Sequence, residues 1–131
     1  MKICRAIWTP EIEALIQLAI NTNPIATGGI DRIKRQVKNG SELWAVLDDD
    51  YEAVGAFVLR IDTSDGINEG VLVVGAGRID GVDCTLLMLP IVEKMFIGCQ
   101  SMRIHTNRPG LIKKLAKDGY TASEVIMRKV L

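Results

Sequence analysis

Glu69, His105 and the thiols of Cys4, Cys84 and Cys99 are the side chains in this 131-residue sequence whose types suit proton transfer or nucleophilic attack. Glu69 precedes the apolar run Val71-Leu72-Val73-Val74, where a carboxylate can face a cleft and act as a base. The surrounding Gly66-Ile67-Asn68-Glu69-Gly70 has equally the composition of a solvated turn. His105 is the single histidine, and an ordinary pKa of about 6.5 suits a base. It stands at the end of a short strand with no carboxylate beside it in sequence, which is the setting of a structural histidine. No second His, and no Cys or Asp at ligand spacing, accompanies it, so no metal is expected. The cysteines are odd in number, far apart and in apolar surroundings, which fits neither a disulfide framework nor a CxxC metal site and points to a reducing cytoplasm. Cys84, near a helix start, reads as buried filler rather than an activated thiol.

Backbone groups offer a second kind of chemistry. Gly75-Ala76-Gly77 is either a bulged strand end that admits the arm of a ligand or a tight exit from a sheet. Arg78-Ile79-Asp80-Gly81-Val82-Asp83 then leads into an apolar helix, where Gly81 permits close approach of an anion to the helix N-terminus. Asp83 reads as the cap of that helix, worth roughly 1 kcal/mol. A ligand anion there would meet its negative charge, against a dipole attraction of about 0.3 to 1 kcal/mol.

These residues must be positioned by elements that the pattern predicts. Residues 2–8 form a first strand, and Thr9-Pro10-Glu11 opens a helix over about 10–21 whose apolar face is Ile12, Leu15, Ile16, Ala19 and Ile20. A short basic helix follows over Ile30 to Asn39, stopped by Gly40; its Arg32, Lys34, Arg35 and Lys38 form a solvated face. Leu43 to Leu47 and Ala53 to Ile61 read as a hairpin across Asp48-Asp49-Asp50. Val71 to Val74 is continuous and β-branched, the mark of a central strand covered on both faces. Cys84 to Ile97 is a helix containing Pro90, Met102 to Thr106 a strand parallel to Val71–Val74, and Pro109 to Gly119 a helix that requires positive φ at Gly119. Glu124 to Val130 is expected as a final strand. The order is β-α-α-β-β-β-α-β-α-β, an α/β chain with a mixed sheet, in one domain over 1–131.

Sixteen basic and sixteen acidic residues cancel, so the field that draws proteins to nucleic acid is missing. Neither Trp8 nor Trp44 belongs to an aromatic cluster with basic residues between, so both read as core or groove packing rather than base-stacking platforms. The apolar runs are too short for a bilayer, and Arg5 interrupts what would be a signal peptide's apolar region, so neither membrane nor leader is expected.

The element order, Arg78-Ile79-Asp80-Gly81 after the Val71 strand, and Asn107-Arg108-Pro109-Gly110-Leu111 through Gly119-Tyr120 together resemble the GNAT superfamily of acyl-CoA N-acyltransferases over nearly the whole chain. The stretch from Gly75 to Tyr120 is similar to compact GNAT-like domains of phage and prophage genes. The resemblance implies acetyl-CoA or coenzyme A as cofactor, its pantetheine arm against the backbone of Val73 and Val74 and its pyrophosphate at Arg78 and Gly81. It implies Glu69 as base, a small-molecule or protein amine as acceptor, and a homodimer as the form of self-association. Two positions depart from the superfamily's pattern. Asp83 replaces a small residue, and Leu115 stands where many active members carry the tyrosine that protonates the leaving thiolate. Two functions therefore follow from the resemblance: an acetyl-CoA-dependent N-acetyltransferase with a degenerate pyrophosphate loop, or a catalytically silent module that uses the same cleft or sheet surface for binding.

Overall fold

Thr9 caps a helix as its position predicts: its hydroxyl accepts the Ile12 amide at 3.3 Å while its carbonyl accepts the Glu13 amide, starting the first helix. In the computed structural model, described over residues 1–22, 28–77 and 84–131, that helix is α1 (Pro10–Thr22), after β1 (Lys2–Arg5). The order continues with α2 (Ile30–Lys38), β2 (Glu42–Leu47), β3 (Ala53–Ser64), β4 (Ile67–Gly77), α3 (Cys84–Met95), β5 (Ser101–Ile104) and α4 (Pro109–Lys117). Pro90 lies inside α3, so the helix starts at Cys84 rather than after the proline.

The five strands lie in the order β1-β2-β3-β4-β5. Neighbours are antiparallel from β1 to β4, and β4 pairs with β5 in parallel, as the β-α-β pattern requires. β3 holds the middle of the ladder and β4 lies one place toward the edge, a shift from the central position expected of Val71–Val74. The turn from β3 to β4 is tighter than expected. Asp65 and Gly66, at φ 53° and 77°, form a two-residue connection between the paired Ser64 and Ile67. Strand β4 therefore starts at Ile67, and Glu69 is a strand residue rather than part of a loop.

Alternation along the strands divides the core. Ala45, Ala56, Val58 and Val74 pack with Ile12, Leu15, Ile16 and Ile20 of α1 and Ile33 of α2 on one face. Val46, Phe57, Leu59 and Leu72 pack with Met88, Val92 and Phe96, from α3 and the turn after it, on the other. The Phe96 ring lies directly over Gly70 and occupies the space that a Cβ would need. Trp8 and Trp44 are half-buried at the margins of the two clusters, Trp44 stacked on Phe57 at 6.4 Å. Lys34 crosses from the basic helix to Glu13 and lies over Trp8.

The sequence pattern fails in one element. Residues 121–131 form no strand and are exposed throughout, although Glu124 to Val130 has strand composition. The chain leaves α4 through Gly119, which takes the expected left-handed conformation at φ 89°, and Tyr120 turns back to donate its amide to the Leu115 carbonyl. Among the described residues no neighbouring strand meets those that follow.

Candidate functional site

Strands β4 and β5 run side by side for four residue pairs, from Glu69–Ser101 to Leu72–Ile104. Beyond Leu72, β4 continues to Gly77 paired only with β3 among the described residues. The parting has a local cause. Val58 pairs with Val74 and Leu59 with Leu72, so Val73 is an inserted residue, a β-bulge. Val73 and Val74 accordingly both pack toward the α1 and α2 cluster. A bulge bends and twists its strand, and this one begins directly after Leu72, where the pairing with β5 ends. One wall of the resulting opening is Val73–Gly77, in which Gly75 and Gly77 are exposed and present bare backbone. β5 ends at Ile104, and the chain goes on from His105 without pairing to β4 among the described residues. Gly75-Ala76-Gly77 is itself regular strand, paired with Phe57, Ala56 and Gly55, with the bulge before it at Val73, and the exit that follows lies outside the described residues.

Below the opening, on the same sheet face, lies a charged network. Asp62, Glu69 and Ser101 stand in one row across β3, β4 and β5, and Arg60 and Arg103 flank Val71 in the next. Arg103 donates to Asp62 and to Glu69, each at 2.5 Å, and its Nε donates to His105 Nε2 at 2.9 Å. Arg60 makes a two-point contact with Asp62, and Ser101 Oγ donates to Glu69 at 2.6 Å. The Ser101 hydrogen bond, then that of Arg103, holds the Glu69 carboxyl below its ordinary range. Asp62 is lowered chiefly by Arg60. Burial, and then the positive charge of Arg103, pushes the His105 imidazole down as well. With Nε2 accepting from Arg103, a neutral His105 carries its proton on Nδ1.

The residues singled out in the sequence divide accordingly. Val73 and Val74 lie at the opening. Glu69 lies on the same strand four residues before the bulge, with both oxygens engaged. Arg78, Gly81 and Asp83 lie outside the described residues. Leu115 is the buried residue of α4. Tyr120, the nearest tyrosine in sequence, donates its hydroxyl to Glu93 at 2.7 Å and lies 3.7 Å from Met102 Sδ, at the far end of β5 from the opening. Sequence reasoning missed the Arg60–Asp62–Arg103 network. Its signal was present in the period-two recurrence of Arg60 and Asp62 and of Ser101, Arg103 and His105, polar residues on one face of two strands. Among the described residues no cluster of three or more His, Cys, Asp or Glu side chains could hold a metal ion, and no helix is long and apolar enough to cross a membrane.

No protein-family model matches the chain, and no curated protein is similar to it. Solved structures are similar over its length. Glucosamine-6-phosphate N-acetyltransferase from Arabidopsis thaliana matches with a TM-score of 0.68 at 12% identity, covering 98% of this chain and 97% of that one. A putative acetyltransferase from Pyrococcus furiosus matches with a TM-score of 0.64 at 16% identity, covering 99% and 100%. A GNAT family acetyltransferase from Staphylococcus aureus matches with a TM-score of 0.55 at 14% identity, covering all of both chains. Identities this low speak to architecture alone, and with the parallel β4–β5 pair parted at a bulge they establish that the chain carries the fold of the GNAT acetyltransferases.

Proposed function

We propose that the chain binds coenzyme A or acetyl-CoA in the opening between β4 and β5, the arm of the cofactor laid along Val73 and Val74 and its pyrophosphate held by Arg78 and Gly81. The observation that carries this reading is the Val73 bulge, which frees the backbone edge of β4 beside exposed glycines in a sheet of GNAT topology. An extended, amide-rich arm is matched by such an edge, because backbone groups supply both donors and acceptors. The helix N-terminus after Gly81 suits a pyrophosphate, and Asp83 opposes it by charge.

Acetyl transfer from the bound thioester would join a neutral amine nitrogen to the acetyl carbon, break the carbon–sulfur bond and return a proton to the thiolate. Glu69 is the residue assigned to remove the amine's proton, directly or through water. A carboxylate held below its ordinary range is the weaker base for that step. Leu115 cannot supply the proton to sulfur. These two positions support the second reading, a catalytically silent module that uses the same cleft or sheet surface to bind a protein partner or a second copy.

Calorimetric titration with acetyl-CoA tests the proposal. Wild type should bind, Asp83→Gly should bind more tightly, and Arg78→Ala should lose about 1.5 to 3 kcal/mol of affinity. Absence of binding in wild type and in Asp83→Gly sinks the cofactor reading. That same absence selects the silent interaction module, whereas binding with turnover of an amine selects the transferase.

A further inference from the structure

We infer, resting on acetyl-CoA in the opening as proposed above, that His105 is held as a neutral imidazole whose Nδ1–H donates to the thioester carbonyl oxygen, a catalytic residue for acetyl transfer. Its position comes from the ladder. Leu72 and Ile104 are the last pair between β4 and β5, so Val73 and His105 are the first residues past it on the two strands. The imidazole also shares a sheet face with the bulge. It bonds to Arg103, and Arg103 bonds to Asp62, which follows Ala56 and Val58 at period two on the α1 side. Val73 and Val74 pack toward that same side. His105 is exposed, and its Nδ1 has no hydrogen-bond partner among the described residues.

Arg103 fixes which ring nitrogen carries the proton. Its Nε–H points at Nε2 over 2.9 Å, and a second proton on Nε2 would set donor against donor. Arg103 cannot turn aside freely, because its two remaining nitrogens are bound to Glu69 and Asp62. The surroundings act in the same sense. Burial, then the charges of Arg103, Arg60 and Arg128, hold the imidazole below its ordinary range, with Glu124 opposing.

A ring in this state has its lone pair engaged and cannot take the amine's proton, and a neutral Nδ1–H is too weak an acid to protonate a thiolate. Hydrogen-bond donation is what remains, and it suits an oxygen on which negative charge develops. As the amine nitrogen bonds to the acetyl carbon, the carbonyl electron pair moves onto oxygen, and His105 bonds to that oxygen while keeping its proton. The pair then re-forms the carbonyl and the carbon–sulfur bond breaks. The proton released by nitrogen returns through water to sulfur.

Because His105 is the single histidine, nitrogen NMR of the labelled chain reads its ring without assignment. At neutral pH the free protein should show a protonated Nδ1 and a bare Nε2, and Arg103→Met should abolish that fixed tautomer. Calorimetry without an amine then compares acetyl-CoA with S-ethyl-CoA, a thioether of the same length that lacks the carbonyl. Wild type should prefer acetyl-CoA by about two- to tenfold, the value of one hydrogen bond. His105→Phe should lose that preference with its affinity for S-ethyl-CoA unchanged, and His105→Gln, which keeps a donor, should retain part of it. The Nδ1 signal should move with acetyl-CoA and not with S-ethyl-CoA. A proton on Nε2 in the free protein overturns the inference, as does a preference that survives in His105→Phe. Binding of acetyl-CoA that leaves Nδ1 unmoved overturns the inference and spares the cofactor reading. Failure of wild type to bind either compound sinks both.

Discussion

Arg103 reaches three acceptors at once, and that convergence decides what its neighbours can do. Glu69 and Asp62 are each about one-third exposed, so solvent screens their pairs and each is worth about 0.2 to 1 kcal/mol. Arg103→Met should therefore cost about 1 kcal/mol in chemical denaturation, a modest loss for so many bonds. The pH dependence is more distinctive. Glu69 and Asp62 have folded values below their ordinary 4.5 and 3.8, so their contribution is complete above those values and lost as pH falls below them. His105 is also lowered, from 6.5. The unfolded chain takes up its proton first, so this histidine begins to weaken the fold as pH drops below 6.5. Stability curves should thus fall in two stages on acidification. His105→Gln should remove the first stage and Arg103→Met should flatten the second; a single stage unaffected by either variant would refute the network's electrostatic role.

Element boundaries follow from a few backbone requirements. Gly119 sits at φ 89° with open space where a side-chain methyl would stand, so Gly119→Ala should cost about 1 kcal/mol through conformation alone. Gly70→Ala is a different case, since the methyl would enter the Phe96 ring, and a loss of about 1 to 3 kcal/mol is expected from overpacking. Equal losses in the two variants would refute this distinction. Much of this architecture was legible because it depends on neighbours in sequence: the Thr9 cap, the α1 stripe, the stop at Gly119 and the β-α-β run that makes β4 and β5 parallel. What escaped depends on partners distant in the chain. The Val73 bulge emerges only when β3 is laid against β4, since Val71–Val74 alone reads as a regular strand. Glu69 reads as a turn residue because Gly66 and Gly70 flank it, yet Gly70 is there for the Phe96 ring and the turn needs only Asp65 and Gly66. Strand composition in Glu124–Val130 is real, but composition cannot supply the neighbour that a strand requires.

At the scale of the whole molecule, the two core clusters are joined through the same strands. Ala56 and Val58 serve one cluster and Phe57 and Leu59 the other, on consecutive residues of β3. Neither face can lose its helices without exposing the far side of a strand that the other cluster needs, so residues 1–131 should unfold in one cooperative step, with calorimetric and van't Hoff enthalpies equal. The opening at the bulge belongs to that unit, because one of its walls is β4 itself. A ligand that binds only the folded opening must then stabilise the entire chain, by about 2.7 kcal/mol at a hundredfold excess over its dissociation constant. For a chain of this length that corresponds to a rise in Tm of roughly 10 °C. Acetyl-CoA should produce that shift as a displacement of one transition, larger in Asp83→Gly than in wild type at equal ligand concentration. Two separate transitions, of which acetyl-CoA moves only one, would show that the β4–β5 opening and the α1 face belong to different folding units.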